Sequence, residues 1–189
     1  VQVVVDDNDG DLLGLEVISS ENTEEVRDIV QAVAQMVHAE VLVSDDLDTY
    51  KGVADALALE HQICRNHVRR NVDELTEELR AQLQNGEPLA DHLLMSPETV
   101  LADLDQLQMI VRERPRDGEE QLDALYERYK DVRQPSPGVR HPVCYRVRML
   151  ITRLWDRWRR LTLDQRRGDL DGTNDSSERL IGWWCKERY

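Results

Sequence analysis

The stretch from Val41 to His67 constrains this chain more than any other part of it. It opens on a short apolar run, Val41-Leu42-Val43, that breaks at once into Ser44-Asp45-Asp46. That is the pattern of a buried strand ending in carboxylates. Tyr50, Val53, Ala54 and Leu57 then recur at helical spacing and predict a helix with one apolar face. His61-Gln62-Ile63-Cys64 reads as a second strand and leads into Asn66-His67. A strand with an acid at its C-terminal end, a helix and a neighbouring strand are a frequent frame for a metal-dependent site. The plainer reading is that Asp45 and Asp46 cap the helix, although Asp48 stands closest to it and is the expected cap.

Upstream, Val1–Val5 and Leu12–Ile18 flank Asp6-Asp7-Asn8-Asp9-Gly10-Asp11 and predict a hairpin. A helix follows from Thr23 to His38, capped by Asn22 or Thr23, with Val26, Ile29, Val30, Val33, Met36 and Val37 inward. Its length suits a crossover, so the strand at Val41 is expected to run parallel to its neighbour.

From Val68 onward the pattern is helical. Val68, Val72, Leu75 and Leu79 mark one face, up to a stop at Asn85-Gly86-Glu87-Pro88. Ser96-Pro97-Glu98-Thr99 opens a second helix, with Leu101, Leu104, Leu107, Ile110 and Val111 inward and a stop at Pro115. A shorter helix spans Glu119 to Lys130, and Gln134-Pro135-Ser136-Pro137-Gly138 is a loop. A long Arg-rich helix then carries Tyr145, Met149, Leu150, Leu154, Trp155, Trp158 and Leu161. At this spacing Trp155 and Trp158 read as core, with stacking on an unpaired base as the alternative.

The 189 residues suffice for one substantial core. The sequence has neither a bilayer-length apolar run nor a signal-peptide pattern, and its three cysteines fit a reducing compartment, so a cytoplasmic protein without a membrane partner is expected. A net charge of −14 argues against broad attraction to nucleic acid. The charge is uneven, however. Residues 140–189 carry twelve Arg or Lys against seven Asp or Glu, leaving a basic C-terminal third that can track a phosphate backbone.

Near the C-terminus, Thr173-Asn174-Asp175-Ser176-Ser177-Glu178-Arg179 opens a last helix, and the chain closes on Ile181-Gly182-Trp183-Trp184-Cys185-Lys186-Glu187-Arg188-Tyr189. Trp183 and Trp184 cannot both face the core from one helix. Taken in order, SDD…Y…HQICRNHVRRN and GTNDSSERLIGWWCKERY resemble the insertion-sequence transposases of the DDE class. The resemblance implies an α/β fold: a ribonuclease H-like mixed sheet core (residues 1–67 and 168–189) with a large all-helical insertion (68–167). It implies metal-dependent DNA strand cleavage and strand transfer, with Mg²⁺ or Mn²⁺ as cofactor. The partners are transposon ends and target DNA, and the protein is expected to be a homo-oligomer.

In that family an acid ends a central strand and a late helix supplies a glutamate, which here implies Asp45, with Asp46 as substitute, and Glu178. The C-x-x-H motif corresponds to Cys64 and His67. The first family acid lies on the first of three strands preceding the first helix. Only two strands are legible here, so that acid is expected upstream of Val1, and Asp6 is the alternative. On that basis the chain alone is expected not to cut DNA. Arg69, Arg179, Lys186 and Arg188 are candidate phosphate contacts, with surface ion pairing the default for each.

Two rival readings stay open. His141-x-x-Cys144 can face Cys64-x-x-His67 and close a zinc site, which would make the chain a zinc-stabilised helical interaction module; the family's motif requires no such partner. Alternatively, the chain is a degenerate or reused remnant that binds DNA or protein without catalysis. For Glu178 the plainer reading is that it closes a capping box and favours the helix N-terminus.

Overall fold

The computed structural model describes residues 2–6, 11–16, 23–90 and 95–179. Its elements run β1 (Gln2–Val5), β2 (Leu12–Glu16), α1 (Thr23–Val37), β3 (Val41–Ser44), α2 (Asp48–Leu57), β4 (Glu60–Ile63), α3 (Arg65–Gln84), α4 (Pro97–Glu113), α5 (Gly118–Tyr129), α6 (Val143–Leu161) and α7 (Leu163–Arg166). A helical turn over residues 175–179 follows. The fold is mixed α/β, mostly helical, with two small sheets. It divides into two units: Arg65–Arg159 forms one, and the segments on either side of it form the other.

In the first unit β1 and β2 pair antiparallel, with a register irregularity between Val4 and Val5, and the Asp6 amide donates to the Asp11 carbonyl at the turn. β3 and β4 form a separate parallel pair, from Val41 opposite Glu60 to Ser44 opposite Ile63. β3 therefore takes β4 as its parallel neighbour, and the two sheets do not join among the described residues. α2 is the crossover that makes a parallel pair possible. α1 packs on the hairpin and on α2. Val26, Val30 and Val53 form the centre of this core, with Leu42, Tyr50, Leu57 and Leu59 packed around them. Met36 and Val37, expected inward, are exposed in the last turn of α1.

The helical unit is built on apolar stripes. Val68, Val72 and Leu79 of α3 are buried; Leu75 is only half-buried, and Thr76 takes the inward place by donating its hydroxyl to the Asp73 carbonyl. α4 begins at Ser96, whose side chain accepts the Thr99 amide while Pro97 occupies the first turn. It ends at Arg114 in the left-handed conformation, just before Pro115. Leu104, Leu107, Ile110 and Val111 point inward as the spacing predicts, but Val100 and Asp103 replace Leu101. The buried Asp103 carboxylate is satisfied by Arg128 and by the Tyr129 hydroxyl at 2.8 Å. Burial, and then this bond, push the Tyr129 phenol far above its ordinary range.

α6 corrects the sequence expectation most. Val143, Val147, Leu150, Ile151, Leu154, Trp158 and Leu161 are buried, a clean stripe at helical spacing. Met149 and Trp155 lie off that stripe and are each 49% exposed. Gly118 has no side chain because the Trp158 indole occupies the space a Cβ would need. Among the described residues no helix is long and apolar enough to cross a membrane.

Candidate acidic site in the strand unit

Parallel pairing brings the C-terminal ends of β3 and β4 to one edge, and the Cys64 amide extends the ladder to the Ser44 carbonyl at 2.7 Å. Ser44 and His61 are both buried, with Ser44 Oγ 2.9 Å from His61 Nε2. The same hydroxyl donates to the Asp45 carbonyl at 2.9 Å, so its one proton is used and His61 Nε2 is the donor between the two side chains. This pair fixes the backbone that carries the acids. Asp45 is half-buried and accepts the Leu47 amide on Oδ1 at 3.3 Å. Asp46 is the more buried of the two. Asp48 is not the cap: Leu47 holds that position without a side-chain bond, and Asp48 is the first helical residue. There its charge still favours the helix N-terminus.

Glu178 lies on the helical turn 175–179. Its amide donates to the Asn174 carbonyl at 3.2 Å, which makes Asn174 the cap residue and Glu178 the fourth helical position. A capping box needs its carboxylate at the third position, which Ser177 occupies, so the capping-box reading of Glu178 does not fit. Asp171, Asp175, Glu178 and Arg179 line an open depression of about 400 Å³. The turn before it is held by side-chain hydrogen bonds. Asp171 accepts both the amide (2.7 Å) and the hydroxyl of Thr173, and Gly172 sits at φ +75°.

Polar contacts tie this segment to the strands. Gln62, fully buried on β4, accepts the Asp164 amide at 2.8 Å and donates towards the Leu161 carbonyl at 3.4 Å. The Asp164 carboxylate lies against Gly172, where a Cβ would come within 2.7 Å of Oδ2. Arg167 bonds Glu60 at 2.8 Å, Glu40 at 3.2 Å and Asp169 at 2.9 Å, so the start of each parallel strand is pinned to the same segment. None of these residues follows a hydrophobic period. The available signal for Gln62 is an amide inside an otherwise apolar strand, and for Gly172 it is the Asp-Gly dipeptide.

With this geometry in place, the comparison with known families is specific: the model of the transposase IS66 family matches residues 17–188. The chain belongs to the IS66 family of transposases. No curated protein and no solved structure matches it.

The strand unit of this transposase contains both Asp45 and Glu178, and Asp6 with them. Cys64 is buried at the end of β4, whereas His67 is on the first turn of α3. Cys144 is buried at the start of α6, its amide bonded to the Leu89 carbonyl. Burial pushes its thiol up to about 11, with the Asp103 carboxylate adding to the effect, which opposes the thiolate form that zinc needs. His141 is exposed and packs edge-on against Tyr145 with ring centroids 5.0 Å apart. Arg69 is exposed on α3, and Arg179 reaches back to the Asp175 carbonyl. Lys186, Arg188, Trp183, Trp184, Asp7 and Asp9 lie outside the described residues. Asp45 and Glu178 are hard oxygen donors of the type Mg²⁺ takes. Even so, no group of three or more His, Cys, Asp or Glu among the described residues is arranged to hold a metal ion.

Proposed function

We propose that this chain is the catalytic region of a DDE transposase, cutting DNA at transposon ends and joining it to a target. The observation that carries the reading is the family match together with the placement of Asp45 and Glu178, far apart in sequence, in one unit. On this reading the hairpin, the parallel pair and α1 belong to one ribonuclease H-like core, and Arg65–Arg159 is its helical insertion. Asp45, with Asp46 beside it, and Glu178 are the acids this chain contributes. The Ser44–His61 pair holds the first, and the Gln62–Asp164–Gly172 contacts hold the segment of the second. Bound Mg²⁺ or Mn²⁺ would activate the attacking oxygen and stabilise the leaving one. The described residues alone do not complete such a site. Asp6, in the same unit, is the candidate for a third carboxylate within these residues. Open strand edges on the two small sheets are the proposed route to a homo-oligomer.

The test is nicking and strand transfer on supercoiled plasmid with Mg²⁺ or Mn²⁺ by the whole transposase. Asp45→Ala and Glu178→Ala should each abolish both reactions while leaving helix content intact. Activity surviving Glu178→Ala would remove that residue from the site. Nicking by the 189-residue chain alone, lost in Asp6→Ala, would identify Asp6 as the first acid. The lack of a three-ligand group among the described residues favours one second reading, a non-catalytic remnant of the family that binds DNA or protein. Wild-type protein that binds DNA but never nicks it would support that alternative.

A further inference from the structure

Asn174 stands at the start of the helical turn 175–179, yet its side chain does not act as a cap. Its carbonyl accepts the Glu178 amide at 3.2 Å, which closes the first turn. A capping asparagine also accepts the amide of the second or third helical residue on its side-chain oxygen. Asn174 Oδ1 accepts nothing. The residue is half-buried, but this atom is shielded from solvent and has no hydrogen-bond partner. A buried acceptor left without a donor is unfavourable, and in a folded protein it marks a place for water, an ion or a catalytic role. Its neighbours are engaged otherwise: Asp171 takes the amide and hydroxyl of Thr173 on its two carboxylate oxygens, and the Asp164 carboxylate lies against Gly172.

We propose that Asn174 Oδ1 is a neutral oxygen ligand of the divalent ion held by Glu178. Four residues separate the two, one helical turn, the spacing at which a pair of side chains shares one ion. A carboxamide oxygen is a hard donor of the kind that suits Mg²⁺ and Mn²⁺. It carries no charge, so it adds a ligand without the repulsion that another close acid would bring. No hydrogen bond of Oδ1 has to break when it turns to the ion, and coordination removes the penalty of leaving it unpaired. Among the described residues His, Cys, Asp and Glu alone do not form a group of three that could hold a metal ion, and an amide oxygen is a donor outside that set. The inference rests on the reading of Glu178 as a metal ligand.

The test is calorimetric titration of Mn²⁺ into wild type, Asn174→Gly, Asn174→Ala, Asn174→Asp and Glu178→Ala, with thermal melts of each protein with and without the ion. Glycine caps a helix nearly as well as asparagine and alanine does so poorly, so these two variants separate ligation from capping. Asn174→Gly and Asn174→Ala should each weaken Mn²⁺ binding roughly tenfold. Asn174→Asp keeps an oxygen at that place and should bind at least as tightly as wild type. Without metal, Asn174→Gly should melt about where wild type does, because the unpaired acceptor is gone, and Mn²⁺ should raise its melting temperature less. Loss of affinity in Asn174→Ala alone would show a cap and overturn the proposal. So would wild-type affinity in both variants. Affinity lost in Glu178→Ala but kept in Asn174→Gly would remove Asn174 and leave Glu178 a ligand. Affinity kept in Glu178→Ala, or a wild type that binds no Mn²⁺, would remove the reading of Glu178 and the proposal with it.

Discussion

The helical unit and the strand unit are ordered by different forces. The largest fully buried side chains of the helical unit include Tyr129, Leu79, Leu104, Leu107, Ile110, Leu122, Leu125 and Ile151. Those of the strand unit are Leu161, Val26, Val53 and an amide, Gln62. The first holds together by apolar packing, which is non-directional and tolerant of small shifts. The second positions its acid-bearing segment by hydrogen bonds and ion pairs, which fix direction at a small net gain each. The difference teaches where direction matters: the segments that carry Asp45 and Glu178 are held by directional contacts, and most of the large fully buried apolar side chains lie in the helical unit.

The largest effect should come from the helical core. Leu107→Ala removes a fully buried side chain and should cost about 3 kcal/mol in urea denaturation. The same measurement on Gln62→Leu, which keeps apolar bulk but loses the three bonds of the side-chain amide, should show a much smaller loss. Equal losses would erase the contrast between the units. Gly172→Ala comes next. It places a Cβ against Asp164 at a left-handed backbone position, a strain of about 1–2 kcal/mol. That strain should appear as faster amide exchange over residues 173–179, with the helical unit's protection unchanged. A uniform rise in exchange would show that the two units respond as one.

These two variants also mark what the sequence makes legible. The hairpin, α1, β3, α2 and α4 all follow from period and punctuation, because apolar burial imprints a repeat on the residues it selects. Ser96-Pro97 reads as a helix start for the same local reason. α6 is harder. Its apolar residues occupy two faces, so Met149 and Trp155 are indistinguishable by composition from Leu150 and Leu154, and only the neighbouring helices decide which stripe is buried. Asp45 and Glu178 are legible as motif residues. Gln62, Asp164 and Arg167 are not, since each acts on a partner about a hundred residues away or at a strand start that no periodicity marks.

A smaller effect concerns pH. Cys144 is buried, and its thiol is raised from the ordinary value near 9 to about 11. The folded state thus prefers the neutral thiol more strongly than the unfolded chain does. That contribution is complete below pH 9 and is lost as pH rises towards 11. Stability of the helical unit should fall across this window in wild type and fall less in Cys144→Ala. A wild-type profile as flat as the variant's would show that the thiol is not held in apolar surroundings.

The most direct test of the site is whether Asp45 and Glu178 act together. Mn²⁺ binding, followed by the loss of its free-ion paramagnetic resonance signal, can be compared in wild type, Asp45→Ala, Glu178→Ala and the double variant. Two carboxylates on one ion are coupled, so either single substitution should weaken binding about as much as the pair together. Losses that add, or a single substitution that leaves affinity unchanged, would contradict a shared site.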